Sequence, residues 1–470
     1  MDFHCKFNLA ENTSIEALQS FFMEHMNDYE SDDEKIEYYL PREGSKPINY
    51  AETKWGRWLA DPKMNDPHSK LSKLFLLRFR VPYFLFKHFL VPRCIELKFF
   101  EMEHQGKARC PIEIKIMACL RLLGRGLTYD DVQEMSEIPL SSIARFLHEF
   151  CENVAARFYE SCIKDPGEES FQDRLNHYAA IGIPGGFGSV DCTQLGWSRC
   201  PKRYKNYATG KARYPTIGFL VVGDHNRNVI YISGDGYLGA MNDINIANMD
   251  PFMISLRSGD FKDMKFWMIL PDGTRVLCHG VFLISDNGFF QSSVLMDPPK
   301  NRYSEHQVLW SEWLESMRKD IECLFGILKI RFRILMHKMM QNNVRKIRNI
   351  FVTCCILHNL INTFNEYIAS PLYEIDPDVD EDLFMRWDEE KHPNWSDYQK
   401  TWFSEDPKGI LERFETKKYL NSDLLPHPIV EATPVNEESV NIQAFLELQT
   451  DDHRGTHVDL DTQESFFLRY

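Results

Sequence analysis

The chain has 470 residues, 43% apolar and 26% charged, which allows more than one domain and fits a water-soluble globular protein. Neither end carries about 20 consecutive apolar residues, and the start, MDFHCKFNLAENTS, lacks a basic-then-apolar leader, so neither a membrane span nor a secretory signal is expected. Net charge is −15, yet residues 371–470 alone hold 24 acids and 9 bases, leaving 45 of each elsewhere and a neutral body able to present a basic face.

Residues 1–69 read as an acidic N-terminal arm, with NDYESDDEKIEYY suggesting a mobile segment with some helix. Residues 70–181 turn helical. Ile112, Ile116, Cys119, Leu120 and Leu123 keep helical spacing, and Gly124 and Gly126 supply a stop. Thr128 and Asp131 fit a capping box, Pro139 interrupts, and Ile143, Phe146, Leu147 and Phe150 mark a longer helix. Three helices joined by tight turns suggest a helix-turn-helix, with Ser141, Ser142, Arg145 and His148 near DNA. A plain helical bundle is the other reading.

After residue 182 short apolar runs alternate with turn residues, HNRN and PDGT among them. Helical stretches follow at about 243–257 and 307–330, and again through NVRKIRNIFVTCCILHNLI. The expected class is α/β, a mixed α/β domain over 182–367. Residues 368–470 form an acidic tail, expected to be largely disordered. Twelve cysteines without a CxxC pair read as reduced thiols of the cytosol or nucleus. Cys192 and Cys200 are too isolated for a zinc site.

Asp191 in SVDCT and Asp286 in LISDNG each end an apolar strand, a position that exposes the carboxylate while fixing its backbone. Glu322 borders the helical stripe Met317, Ile321, Leu324, Phe325, Leu328 and can lean over the sheet edge. Three such carboxylates need counter-charge. Two Mg²⁺ or Mn²⁺ ions would supply it and suit in-line attack on a phosphodiester. Taken singly, each acid reads more simply as a helix cap or a solvated loop residue.

Basic residues frame this set. Arg199, Lys202, Arg203, Lys205, Lys211 and Arg213 interleave with Tyr204 and Tyr207, suggesting phosphate contacts with tyrosines available for stacking. Arg331, Arg333, Lys338, Arg345, Lys346 and Arg348 could extend the track. Asp243 in MNDIN reads as an N-cap or first-turn acid, with a fourth ligand as the sharper alternative. His358 and Asn359 read as a satisfied polar pair in the core.

These segments resemble the PIF/Harbinger superfamily of DDE transposases, in particular its plant- and oomycete-type transposon proteins. GSVDCT resembles the block around the family's first aspartate and GAMNDINI its asparagine-aspartate block. LISDNGF resembles the second aspartate, SMRKDIECLFGILKIRFRIL the glutamate helix, and CCILHNLI the closing helix. Thirty-five residues separate Asp286 from Glu322, a spacing this kind of site commonly shows. The resemblance implies an RNase H-like catalytic domain, a mixed sheet flanked by helices, behind the all-α N-terminal region. Asp191, Asp286 and Glu322 become its catalytic, metal-binding residues. It further implies cleavage at transposon ends, transfer of 3′ ends to target DNA, homo-oligomers on DNA, a Myb-like partner protein and a nuclear location. Gln194 departs from the usual histidine, and Asn287-Gly288-Phe289 from Gly-Gly-Tyr or Gly-Ile-Tyr. The alternatives are a domesticated, catalytically inactive DNA-binding or scaffold protein, and an RNase H-like nuclease acting on RNA or structured DNA.

Overall fold

The computed structural model describes residues 48–364, apart from 101–109, 164–167, 182, 270–274, 290–291, 293 and 299–304, together with Val440–Asn441. Most of the acidic arm, nearly all of the acidic tail and the PDGT turn lie outside the described residues. The helical region starts earlier than residue 70. Helix α1 (Lys54–Ala60) is capped by the Thr53 hydroxyl, and Trp55 and Met64 are buried. Trp55 meets Phe79 of α2 (Lys70–Phe79) edge-on at 5.5 Å. The acid-rich surroundings of these few aromatic residues conceal how much apolar surface they bury.

The helices α3 (Ile112–Arg125), α4 (Tyr129–Ser136) and α5 (Leu140–Cys162) follow as expected. Gly126 takes the left-handed conformation at φ 62° that ends α3. The Thr128–Asp131 capping box is reciprocal at the start of α4. Glu137, itself left-handed, buried Ile138 and Pro139 then make a three-residue turn into α5. Ser141 and Arg145 are exposed on the first turns of α5.

Beyond α6 (Glu168–Ala180) comes the main sheet. It is built from β1 (Gly186–Gly196), β2 (Thr216–Gly223), β3 (Val229–Ile232), β4 (Tyr237–Leu238), β7 (Phe282–Ile284) and β8 (Leu295–Met296). Its order is β3-β2-β1-β7-β8, with β4 also on β2. The first three strands are antiparallel, whereas β7 runs parallel to β1 and β8 parallel to β7. The HNRN turn joins β2 to β3, with Asp224 Oδ1 accepting from the N–H groups of Asn226 and Asn228. Strands β5 (Lys265–Ile269) and β6 (Arg275–His279) pair separately, and Val440–Asn441 lies along β6.

Helices cover both faces, so the expected mixed sheet flanked by helices is present. Val190, Leu220, Val222 and Leu283 pack with residues of α7 (Asp243–Met249) and α8 (Pro251–Ser258). The opposite face meets α9 (Glu305–Arg331), α5 and α10 (Val344–Phe364). One hydrophobic cluster joins Phe150 and Val154 of α5, Phe219 and Val221 of β2, and Phe351 and Cys355 of α10. Thr353 ties α10 to the Cys151 carbonyl at 3.2 Å. The helical region and the sheet therefore share a core across residue 181.

His358 and Asn359 are buried and satisfied. Asn359 donates to the carbonyls of Cys162 and Val229 and accepts from the Val229 N–H. Burial, with the Arg331 charge beside it, holds His358 neutral, well below the usual histidine range. Its Nε2 faces the Arg227 carbonyl, so Nδ1 is left to accept from Arg331 Nη1 at 2.8 Å. This corrects the expectation for Arg331: it is 1% exposed and spends its charge inside the protein, not on a DNA surface.

Candidate active site

Strand β1 runs buried to Val190 and delivers Asp191 at its middle. Parallel pairing sets Ser189 of β1 beside Ile284 of β7. Two residues further on each chain, Asp191 stands level with Asp286, just past the end of β7. Side chains alternate along a strand, so both carboxylates leave the sheet on the face of Ser189 and Ile284. That face packs under α9 through Ile284 and Leu314.

Glu322 is brought over this point by close packing of α9. A side chain at Gly223 of β2 would come within 2.8 Å of Leu324 and 3.0 Å of Ile321, both buried. Glycine there lets the helix lie tightly on the sheet. Glu322 follows Ile321 immediately and reaches the sheet edge, half exposed at 49%.

Backbone groups fix the two aspartates. Asp191 Oδ1 accepts from the Cys192 N–H at 2.7 Å, and Asp286 Oδ1 accepts from the Gly288 N–H at 2.8 Å. A Cβ at 288 would stand 2.9 Å from that same oxygen. A side chain at Gly288 would therefore displace the Asp286 carboxylate, while Phe289 is buried in the core below. Gln194 accepts from the Thr216 hydroxyl at 3.0 Å and donates to the Gly239 carbonyl at 3.5 Å. It braces the segment that leads to Asp243 and holds no position among the carboxylates.

Electrostatics join these acids. Burial raises Asp191 to about 6, and the charges of Asp286 and Asp243 push the same way against the Cys192 N–H and Arg318. Burial raises Asp243, against a hydrogen bond with the Cys192 thiol and the Lys211 charge, and the Asp286 charge adds to the rise. Asn242 is the N-cap of α7, accepting from the Asn245 N–H, so Asp243 is a first-turn acid, and its side chain hydrogen-bonds with the Cys192 thiol. Between Asp191 and Glu322 sits Arg318, which the sequence reading passed over. Its Nη1 is 2.8 Å from Glu322 Oε1 and 3.9 Å from Asp191 Oδ2. The i,i+4 spacing of Arg318 and Glu322 was the available signal.

Among the described residues, no three His, Cys, Asp or Glu side chains converge closely enough to hold a metal ion. The donor type nevertheless fits a hard divalent cation, and the raised Asp191 marks negative charge that a cation would relieve. Cys192 and Cys200 are free thiols.

Arg199, Lys202, Arg203, Lys205, Lys211 and Arg213 are exposed on the loop after β1. Tyr204 corrects the expectation of stacking: it is buried, with the Arg203 guanidinium 4.5 Å above its ring, and it pins the loop. Tyr214, 40% exposed, is the accessible aromatic residue instead, and Lys338 lies 4.2 Å over its ring. Met339 donates to the Gly196 carbonyl and accepts from the Ser198 N–H, which joins the Lys338 segment to this loop. Arg333 is half-buried. Arg345 pairs at 3.8 Å with Glu152, and Arg348 donates to the Gly234 carbonyl.

Residues 160–367, from the end of α5 to just beyond α10, match the sequence model of the plant transposon protein family. HARBI1 from Xenopus laevis, whose name designates it a candidate nuclease, is 24% identical over 260 residues, covering 55% of this chain and 69% of HARBI1. No solved structure matches the chain. The matched stretch contains Asp191, Asp286 and Glu322, and both likenesses support a relationship to the Harbinger-type transposases.

Proposed function

We propose that the chain is a metal-dependent nuclease of the DDE transposase type, which cuts DNA at transposon ends and transfers the 3′ ends to target DNA. The observation that supports this reading is the pairing of Ser189 with Ile284 on adjacent parallel strands, two residues before Asp191 and Asp286, with Arg318 of α9 lying between Asp191 and Glu322. The strand order supports an RNase H-like reading of the domain. In this reading the three carboxylates would hold two Mg²⁺ or Mn²⁺ ions, whose chemistry would be activation of the attacking oxygen and stabilisation of the leaving one. The Cys192 and Gly288 N–H groups orient the aspartates. The exposed cations after β1, with Lys338, hold the DNA backbone, and the turn into α5 presents Ser141 and Arg145 as a helix-turn-helix would. Nuclear action, homo-oligomers on DNA and a Myb-like partner belong to the same proposal and rest on the family resemblance.

Mn²⁺-dependent cutting of terminal-repeat DNA by the wild type, Asp191→Asn and Glu322→Gln tests it. Both variants are expected to lose cutting by at least about 100-fold. Equal cutting by all three would rule out the assigned chemistry. A second reading, a DNA-binding or scaffold protein without nuclease activity, draws on the spacing of the carboxylates, which do not yet converge on a metal. It predicts terminal-repeat binding without cutting under any divalent ion.

A further inference from the structure

We propose that Arg318 acts as the resident counter-cation of the carboxylate cluster, a gate that a divalent ion must displace before the site is complete. The inference deepens the metal-dependent reading and rests on it. A single guanidinium nitrogen lies 2.8 Å from Glu322 and 3.9 Å from Asp191. Both it and Asp191 are largely enclosed, at 18% and 21% side-chain exposure. Water screens such a pair less than it screens a surface pair.

The position has two consequences. Arg318 is one helical turn before Glu322, so the pair holds the glutamate toward the sheet in the free protein, serving as a positioning residue. It also places a positive charge between Asp191 and Glu322, two of the carboxylates that would hold the cation. Loading a divalent ion then means exchanging one positive partner of Asp191 for another of higher charge.

Mn²⁺ binding to the full chain, read from the paramagnetic resonance of the free ion at pH 7.5, tests the gate without any activity measurement. Arg318→Gln is expected to bind Mn²⁺ on the order of tenfold more tightly than the wild type. Arg318→Lys keeps the charge without the planar fork and should fall between the two. Asp191→Asn, alone or combined with Arg318→Gln, should lose the binding. A loosened fold would weaken the ion's hold, so the direction of change separates a gate from a merely structural arginine. If Asp191→Asn has no effect in either background, the carboxylate site itself is wrong. If Asp191→Asn abolishes binding while Arg318→Gln binds no tighter than the wild type, the gate fails and the metal site stands. Should Arg318→Gln not fold, Arg318→Lys carries the test, and affinity equal to or below the wild type overturns the proposal.

Discussion

Asp191 concentrates the physics of the site in one side chain. Its folded value of about 6 lies above the ordinary aspartate value of about 3.9, because burial and two neighbouring carboxylates disfavour its charge. The folded state therefore binds the Asp191 proton more tightly than the unfolded state does. Stability from this residue is present below about pH 4 and is lost as pH rises through about 6. Without divalent ions, Asp191→Asn is expected to be more stable than the wild type at pH 7.5 by ~1–3 kcal/mol, with the difference vanishing near pH 4. Urea unfolding in a chelator at the two pH values measures this. A variant no more stable than the wild type at pH 7.5 would show that the charge is not strained. Asp286 follows the end of β7 as its apolar run suggests, but Asp191 does not end its strand: β1 continues to Gly196 because residues 191–196 pair with β2, which the sequence of β1 alone does not reveal. Arg318 was not legible, since i,i+4 arginine–glutamate pairs are common on solvated helix faces and only the fold shows Asp191 beside this one. Tyr204 misled for a related reason: aromatic residues in a basic loop read as a stacking surface until the loop is seen anchored by one of them.

Among the elements, α9 does most to set the site, and its seating depends on Gly223. The sequence gives α9 a clear apolar stripe and thus a helix, but it does not say how closely the helix approaches the sheet. That distance is set by a missing side chain on a different element, and no periodicity reveals it. Gly223→Val would drive two methyl groups toward Leu324 and Ile321, which have no solvent to retreat into. The expected cost is about 1–3 kcal/mol by overpacking. Cutting should fall as well, because lifting α9 carries Glu322 away from Asp191. Thermal melts and the DNA cleavage assay on the same preparation check both effects. Full stability together with full activity would show that the α9–sheet spacing is not critical. Helices α3, α4, α5, α9 and α10 are legible in the sequence, each having a capping signal or a 3.6-residue stripe, whereas α6 is not singled out by either. Two-residue strands such as β4 and β8 have no pattern of their own and exist only as partners of β2 and β7.

At the scale of the whole molecule, a sequence boundary near residue 181 marks a change of texture, helical before and strand-rich after, but not a division of the core. Helices α5 and α10 face each other across it, and Phe150, Cys151 and Val154 bury the same surface as Phe351, Cys354 and Cys355. Nearly all of α10 from Ile347 to Asn362 is buried, a condition that the sheet face alone does not provide. A protein cut to residues 182–367 would expose this apolar helix and leave Thr353 without the Cys151 carbonyl. Burying a single large apolar side chain contributes about 1.5–3 kcal/mol, and several lose their cover at once, against a typical domain stability of about 5–15 kcal/mol. The fragment is expected to be insoluble or to bind a hydrophobic dye without a cooperative melt, whereas residues 48–367 melt in one transition. A soluble fragment with a sharp melt and fixed near-ultraviolet dichroism would show that the sheet and its helices fold independently. The carboxylate site sits on this shared core, so its geometry depends on helices far outside the segment that supplies its acids.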